Sequence, residues 1–302
     1  MIAQALIDGL LTGAIVALGA IAVSFSLAIL RFANFAFGDL LTVGAYAALF
    51  VTVLAVAPGA VPPGPFSFGW GMALALGVAM GFTVGVALLL DRLVFRRLRA
   101  RDADPLTLVF ASFGLALLLR NLVQLGFGPD PHQYSSEIQM ALRLPGPVLV
   151  MPDQLLVFAL TLAVLAALAL FLQRSRHGLA MRALAENPVL AGVAGVDVAA
   201  TVRLTWIVSA LLAALAGVFY GITVQLRPEM GLNLLLPLFT AAILGGVGSV
   251  GGAVAGALLI SLAENALALV MPGTYKPLVP FVLLLLVLWV RPQGLFAPRA
   301  VR

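Results

Sequence analysis

The stretch with the most recognisable chemical pattern is "LGGVGSVGGAVAG", residues 244–256. Gly246, Gly248 and Gly251 have the Gly-x-Gly-x-x-Gly spacing of loops that bind dinucleotides. Such a loop binds pyrophosphate where it follows a strand, begins a helix and belongs to a βαβ unit. Here apolar sequence flanks the glycines on both sides, and no amphipathic strand precedes them. The context favours close helix packing at a helix break over nucleotide binding.

Catalytic groups find no better support. Ser249 lies in a small-residue turn similar to that of a serine nucleophile, but His132 and His177 both fall in predicted loops, which leaves no base beside it. The sequence contains no cysteine, no His-Glu-x-x-His motif and no Gly-x-x-x-x-Gly-Lys-Ser/Thr loop. We therefore expect a chain that is not an enzyme and that holds no cofactor and no metal.

Composition indicates the class of protein. Of the 302 residues, 63% are hydrophobic and 10% are charged, whereas soluble domains have roughly 25% charged residues. The mean hydropathy is +1.14, and several apolar runs reach the ~20 residues that cross a bilayer. Helices satisfy their own backbone groups in lipid, so we predict an all-α, polytopic integral membrane protein with about 8–10 transmembrane helices.

The predicted spans run through most of the chain, which we expect to form a single transmembrane domain over residues 1–302. They lie near residues 9–30, 36–57, 69–90, 106–127, 153–172, 204–224, 236–248, 252–270 and 278–291. Glycines spaced by four residues recur in them, a spacing that lets transmembrane helices approach closely. These series are Gly9 and Gly13; Gly77, Gly81 and Gly85; Gly217 and Gly221; Gly248, Gly252 and Gly256.

The distribution of charge predicts orientation. Sixteen of the 17 cationic residues are arginines, and the other is Lys276. Most of the arginines lie at 91–105, at 173–203 and near the C-terminus. The positive-inside rule makes these segments cytoplasmic and puts the N-terminus outside. The net charge of +5 is thereby explained by the lipid bilayer as partner, and no nucleic acid is expected.

Two polar or glycine-rich interruptions, one near each end of the chain, predict an internal pseudo-repeat with broken helices. Paired interruptions of this kind indicate a substrate path, because freed helix ends present N–H or C=O groups to a solute. The candidate path residues are Asn34, Gly38, Asp39 and Gly44 in "RFANFAFGDLLTVGAY", and Gly245, Gly246, Gly248, Gly251 and Gly252 in the second break. The first stretch is also compatible with a plain interfacial loop, and for Asp39 both interpretations stay open.

A lone arginine in an apolar run, Arg120, needs a partner in the membrane. It could reach the interface, pair with Glu264 or Asp39, or line the path; we favour a structural pair. Buried ionisable groups would also suit an ion-coupled secondary transporter, the main alternative class.

The cytoplasmic stretch 177–204 predicts a helix–turn–helix. A short helix from Leu179 should end at Asn187, because the residue before Pro188 is disfavoured in helices. Asn187 then caps a second helix with Pro188 in its first position. Arg182 and Glu186 are spaced to pair on the first helix. The predicted apolar docking face consists of Leu184, Val189, Leu190 and Val193; a solvated connector is the alternative.

At these residues a family resemblance becomes specific. "MRALAENPVLAGVAGVDV" resembles the cytoplasmic coupling segment of permease subunits in ATP-binding-cassette (ABC) importers of branched-chain amino acids. The likeness continues in "LLAALAGVFYG", "AAILGGVGSVGGAVAGALL" and "VRPQGLF", and "NFAFGD" is similar to the family's "NFAHGE". It covers nearly the whole chain, whose length matches the shorter of the family's two permeases. Phe37 stands where the family commonly has histidine.

The resemblance implies a subunit of a larger machine in the bacterial inner membrane. A periplasmic solute-binding protein would deliver branched-chain amino acids or related solutes; urea and short-amide permeases share the motifs. A second permease, identical or longer, would complete the path, and two cytoplasmic ATPase subunits would hydrolyse ATP. The segment 173–203 would contact the ATPases through Arg182, Ala183, Glu186, Asn187, Pro188, Ala191, Gly192 and Gly195.

Overall fold

The protein was analysed as a computed structural model that describes residues 2–55, 66–135, 140–144, 148–291 and 294–295. In these ranges the helices are α1 (Ile2–Phe25, continued by a π-helical turn, Ser26–Leu30), α2 (Ala36–Ala55), α3 (Gly71–Leu90, continued by a π-helical turn, Asp91–Phe95), α4 (Arg96–Arg99), α5 (Pro105–Phe127), α6 (Pro152–Arg174), α7 (Arg176–Glu186), α8 (Pro188–Val193), α9 (Val198–Thr223), α10 (Met230–Gly245), α11 (Val250–Leu267) and α12 (Leu278–Val290). The strands β1 (Leu142–Leu144) and β2 (Val148–Val150) form one antiparallel hairpin.

The helices confirm an all-α, polytopic membrane protein. Eight helical segments are long and apolar enough to cross a bilayer, and each of the nine predicted spans coincides with a helix. The predicted span 236–248 starts too late, because hydropathy detects the apolar part of α10 and not its first turn, "MGLN". With 16 residues, α10 is not one of those eight segments.

The helices form a core of α1, α2 and α9 inside a shell of more exposed helices. The most apolar window of α1 is 89% buried, whereas that of α12 is 11% buried. The outward faces of α5, α6 and α12 carry leucine, phenylalanine and valine side chains, which suits contact with lipid. Apolar residues therefore cover both the interior and the lipid-facing perimeter.

Hydrogen bonds at the helix ends show how the helices alternate. At one end, Gln4 at the start of α1 exchanges two hydrogen bonds of 2.9 Å with the backbone of Leu149. At the other end, the Gly248 N–H donates to Ser24 Oγ at 2.9 Å, and the Leu295 N–H donates to the Leu244 carbonyl at 2.8 Å. Successive long helices thus run in opposite directions, and which end faces the cytoplasm stays a prediction.

Glycine packing is tightest between α10 and α11. A Cβ atom on Gly252 would overlap the backbone of Gly245, and one on Gly256 would overlap the carbonyl of Ala241. On the opposite side of α11, Gly9 and Gly13 of α1 lie against Leu262 and Leu258. Such approaches replace the hydrophobic effect, which does not hold helices together in lipid.

The expectation that every glycine series packs in this way is wrong for Gly77, Gly81 and Gly85. A Cβ on any of them would meet no atom within 4 Å, because all three lie on the outer face of α3. Four-residue spacing puts glycines on one face of a helix without deciding which face is buried.

We predict that Gly252→Leu destabilises the helix pair α10–α11 and abolishes transport, since overpacking of this kind costs about 1–3 kcal/mol. Gly251→Leu is the matched control, because Gly251 is exposed and a Cβ there meets no atom within 4 Å. Thermal unfolding of the purified variants in detergent should separate the two. Equal unfolding temperatures, or NAD binding to the wild type that Gly252→Leu removes, would contradict the packing role.

Candidate functional site

The first break is a buried turn that starts α2. Arg31 adopts a left-handed backbone conformation with φ of 59°, and Asn34 is fully buried three residues later. The Asn34 Oδ1 atom accepts a hydrogen bond of 3.1 Å from the Ala36 N–H, while its Nδ2 atom has no partner. Asn34 thus starts the helix through its oxygen and leaves one buried donor free.

Asp39 and Arg120 form a bidentate ion pair between α2 and α5. The Arg120 Nε and Nη2 atoms donate to the two carboxylate oxygens of Asp39 at 3.1 and 3.0 Å. The side chains are 1% exposed for Asp39 and 16% exposed for Arg120. Among the partners considered for Arg120, the structure selects Asp39, and the expected structural pair is confirmed. Asp39 belongs to the first turn of α2, so this part of the stretch is not an interfacial loop.

The two glycines of the first stretch lie against neighbouring helices. A Cβ on Gly38 would come within 2.5 Å of the Gly231 carbonyl in α10, and one on Gly44 within 2.8 Å of the Ala214 backbone in α9. The Gly231 N–H also donates to Thr42 Oγ1 at 3.0 Å. In this structure both glycines serve packing, and their role in a path stays a prediction.

Phe37 is part of a buried aromatic cluster. Its ring stacks on Trp206 with centroids 5.6 Å apart, and Trp206 lies 5.2 Å from Phe95, which in turn contacts Phe32 at 5.2 Å. The Trp206 Nε1–H has no hydrogen-bond partner. An apolar ring at position 37 therefore matches its surroundings in this chain.

The glycine-rich break is a tight turn between α10 and α11. Gly246 and Gly248 have φ of 95° and 87°, a region that glycine occupies without steric cost. Ser249 Oγ accepts from the Gly252 N–H at 3.1 Å. Ser249 is therefore the cap of α11, and the nucleophile interpretation has no geometric support. Of the candidate glycines here, Gly245, Gly246 and Gly252 are buried, while Gly248 and Gly251 are exposed.

The predicted helix–turn–helix is confirmed by α7 and α8. The first helix ends at Glu186, and Asn187 Oδ1 accepts hydrogen bonds from the Val189 and Leu190 N–H groups at 3.0 and 3.1 Å. Pro188 occupies the first position of α8. Gly195, with φ of 87°, follows the end of α8.

Two details of that segment were predicted wrongly. Leu184 is 1% exposed and packs into the membrane domain, because the apolar side of α7 faces its own chain; only Val189, Leu190 and Val193 remain exposed. Arg182 and Glu186 are both exposed and form no ion pair, as a surface pair gains little against side-chain entropy. Of the other candidates, Ala191 is buried, Ala183 and Pro188 are half-buried, and Asn187 and Gly192 are exposed.

A cavity of about 460 Å³ lies between α7 and the glycine turn. Its walls include Met181 and Arg182 of α7, Gly248 and Gly251, and Phe25 at the end of α1. Two candidate sets that are far apart in the sequence thus meet in one place.

Sequence reasoning missed the hydroxyl groups that connect helices. Ser24 and Thr42 accept from glycine N–H groups of distant segments, but such residues in an apolar run commonly bond within their own helix, so no local signal distinguishes them. Tyr134 was missed as well: its hydroxyl donates to the Ala45 carbonyl at 2.8 Å. Burial raises the pKa of Tyr134 well above its usual range, which keeps this donor protonated.

Comparison with known proteins gives a consistent result. The chain matches the family described as "Branched-chain amino acid transport system / permease component" over residues 5–288. The high-affinity branched-chain amino acid permease BraD of Pseudomonas aeruginosa is 33% identical, and the match covers 97% of this chain and 94% of BraD. LivH of Escherichia coli is 29% identical with the same coverage.

Two further similarities are more distant. The xylose transport permease XylH of Haemophilus influenzae is 33% identical over 43% of this chain and 37% of its own length. Among solved structures, PsaBC from Streptococcus pneumoniae in complex with Fab has a TM-score of 0.53 at 12% identity, and covers 95% of this chain and 91% of its own. This last likeness shows a shared fold.

We predict that Asp39→Asn is strongly destabilising, because it leaves the Arg120 guanidinium buried without a counter-charge; removal of one partner of such a pair costs about 3–5 kcal/mol. The double variant Asp39→Asn/Arg120→Met should recover much of this loss. Thermal unfolding and membrane yield measure both effects, with the exposed Asp130→Asn as control. A double variant as unstable as the sum of its single variants would contradict direct pairing.

Proposed function

Because the chain belongs to the family of permease components of branched-chain amino acid transport systems, we propose that it forms the path by which an importer moves leucine, isoleucine or valine across the bacterial inner membrane. The chain is an ABC-type permease subunit and a multi-pass membrane protein. The observation that supports the substrate class is full-length similarity to BraD and LivH. In this proposal residues 1–302 form one transmembrane permease domain.

The path role of the two breaks rests on their position in the fold. Asp39 and Arg120 bring a fully paired charge into the transmembrane core, next to the contact between Gly38 and Gly231. The turn at Gly246–Gly248 joins α10 to α11 at the end of the bundle, beside the end of α1. Gly38 lies where α2 contacts α10, and the glycines at 245–252 lie where α10 contacts α11 and the end of α1. We assign these residues, with Asn34, Asp39 and Gly44, to the path, because alternating access would separate these helices.

The partners follow from a division of labour. The segment 173–203 contacts two ATPase subunits through the exposed parts of α7 and α8, while Met181 and Leu184 anchor α7 in the membrane domain. Movement of the ATPases is passed to the cavity beside Gly248. A second permease, identical or longer, completes the path, and a periplasmic binding protein delivers the solute.

The function is tested with the complex reconstituted from this chain, its ATPases, its partner permease and its binding protein. We expect ATP-dependent uptake of labelled leucine, isoleucine or valine, and none of urea, short amides or xylose. Uptake that persists without the ATPases and collapses with the proton gradient would instead establish a secondary transporter.

The coupling role predicts variants that fold but do not transport. Glu186→Arg should disturb only the docking surface, because Glu186 is exposed and unpaired. Pro188→Gly should loosen the turn that Asn187 caps. We expect both variants at normal levels in the membrane, with no uptake and with ATP hydrolysis near the basal rate.

The control for charge reversal is Asp130→Arg, at an exposed position in the loop after α5. Wild-type uptake by both coupling variants would exclude α7 and α8 from the mechanism.

A further inference from the structure

The connection between α9 and α10, residues 224–229, is a non-helical segment that carries two exposed side chains of opposite charge. Leu226 and Pro228 are buried, whereas Arg227 and Glu229 are exposed. The Met230 N–H donates to the Arg227 carbonyl at 3.0 Å, so the chain turns at Pro228 and Glu229 and keeps the two charged residues within one turn of each other. Neither charge was among the residues that the sequence motifs indicated.

Both ends of this segment are fixed. Leu226 exchanges two backbone hydrogen bonds of 2.9 Å with His132, and the Gly231 N–H donates to Thr42 Oγ1. With its amide oriented to accept, Gln225 receives hydrogen bonds of 2.8 and 3.0 Å from the Arg227 Nε and Nη2 atoms. The guanidinium is thus held in place and keeps N–H groups available.

The length of α10 puts these charges below the membrane surface. A helix of 16 residues spans about 24 Å, less than the ~30 Å of a bilayer core. The C-terminal end of α10 lies at the end of the bundle, where Leu244 binds Leu295. Its N-terminal end therefore lies at depth, beside Gly38 in the first turn of α2.

Charges at this depth do not face lipid; they face water or another protein group. Glu229 stands at the N-cap of α10, yet its carboxylate makes no capping hydrogen bond and no ion pair among the described residues. The buried hydroxyl of Tyr46 has no hydrogen-bond partner and interacts electrostatically with Glu229. A hydroxyl and a carboxylate that have no hydrogen-bond partner in the described part of the chain therefore lie near each other.

We propose that Arg227 and Glu229 line the aqueous part of the path and bind the two charged groups of a zwitterionic amino acid. Arg227 receives the α-carboxylate, for which a guanidinium supplies paired N–H donors, and Glu229 receives the α-ammonium group. The inference rests on the proposed function and adds to it the residues that recognise the amino-acid head group. The apolar side chain of the solute is left to the surrounding helices.

The chain contains no cysteine, which allows a test by charge restoration in the reconstituted complex. Arg227→Cys and Glu229→Cys should each lower leucine uptake about tenfold or more, as expected for loss of a charge-assisted hydrogen bond. Aminoethyl methanethiosulfonate should restore uptake in Arg227→Cys, and the sulfonatoethyl reagent should restore it in Glu229→Cys. Each reagent should fail on the other variant.

Two positions serve as controls. Asp130→Cys, at an exposed position in the loop after α5, should react with both reagents without a change in uptake. Leu285→Cys should stay unreactive in lipid, because Leu285 is 67% exposed on the outward side of α12.

Three results would overturn the inference. The first is uptake by either variant at the wild-type rate, and the second is restoration of uptake by either reagent regardless of its charge. The third is that the cysteines react in the isolated chain but not in the assembled complex, which would identify an interface with the second permease. Failure of the wild-type complex to import leucine would instead contradict the proposed function, and reactivity in the assembled complex would then still decide whether positions 227 and 229 face water.

Discussion

The interior of this bundle depends on the ion pair between Asp39 and Arg120. Arg120 and Asp39 are stable in an apolar core only as long as they stay together, because either charge alone would be left without water or counter-ion. Their two hydrogen bonds hold the first turn of α2 against α5. From that fixed turn, Gly38 and Thr42 position the start of α10. Through α2, the ion pair between Asp39 and Arg120 therefore fixes the position of α10 and of the charged segment before it.

A second set of contacts involves α7. Met181 and Leu184 anchor α7 in the core, α7 borders the cavity beside Gly248, and Gly248 is bound to Ser24 near the end of α1. Two hydroxyl groups hold the turn at 246–249: Ser249 Oγ accepts from the Gly252 N–H, and Ser24 Oγ accepts from the Gly248 N–H.

The sequence predicted what local chemistry controls. Asn187 and Pro188 define a helix end and a helix start by backbone rules alone, and the structure has both. Hydropathy located the spans because it too depends only on residues that are neighbours in the sequence. What failed depends on distant neighbours: Leu184 faces inward because α7 folds back on its own chain, and Gly77, Gly81 and Gly85 face outward because no described helix covers that side of α3. The sequence left Glu264 and Asp39 as possible acidic partners of Arg120, and only the packing of α2 on α5 selects Asp39.

The central position of α1 has a consequence for biosynthesis. The ribosome makes α1 well before α11, yet Gly9 and Gly13 of α1 lie against Leu262 and Leu258 of α11. Until α11 is inserted, the face of α1 that carries Gly9 and Gly13 stays in lipid, where the mean hydropathy of 2.4 of this helix keeps it stable as a span. Assembly is therefore a late event that waits for the C-terminal third of the chain. A nascent chain arrested before residue 250 would present the face of α1 that α11 normally covers, small residues included, to chaperones and membrane proteases.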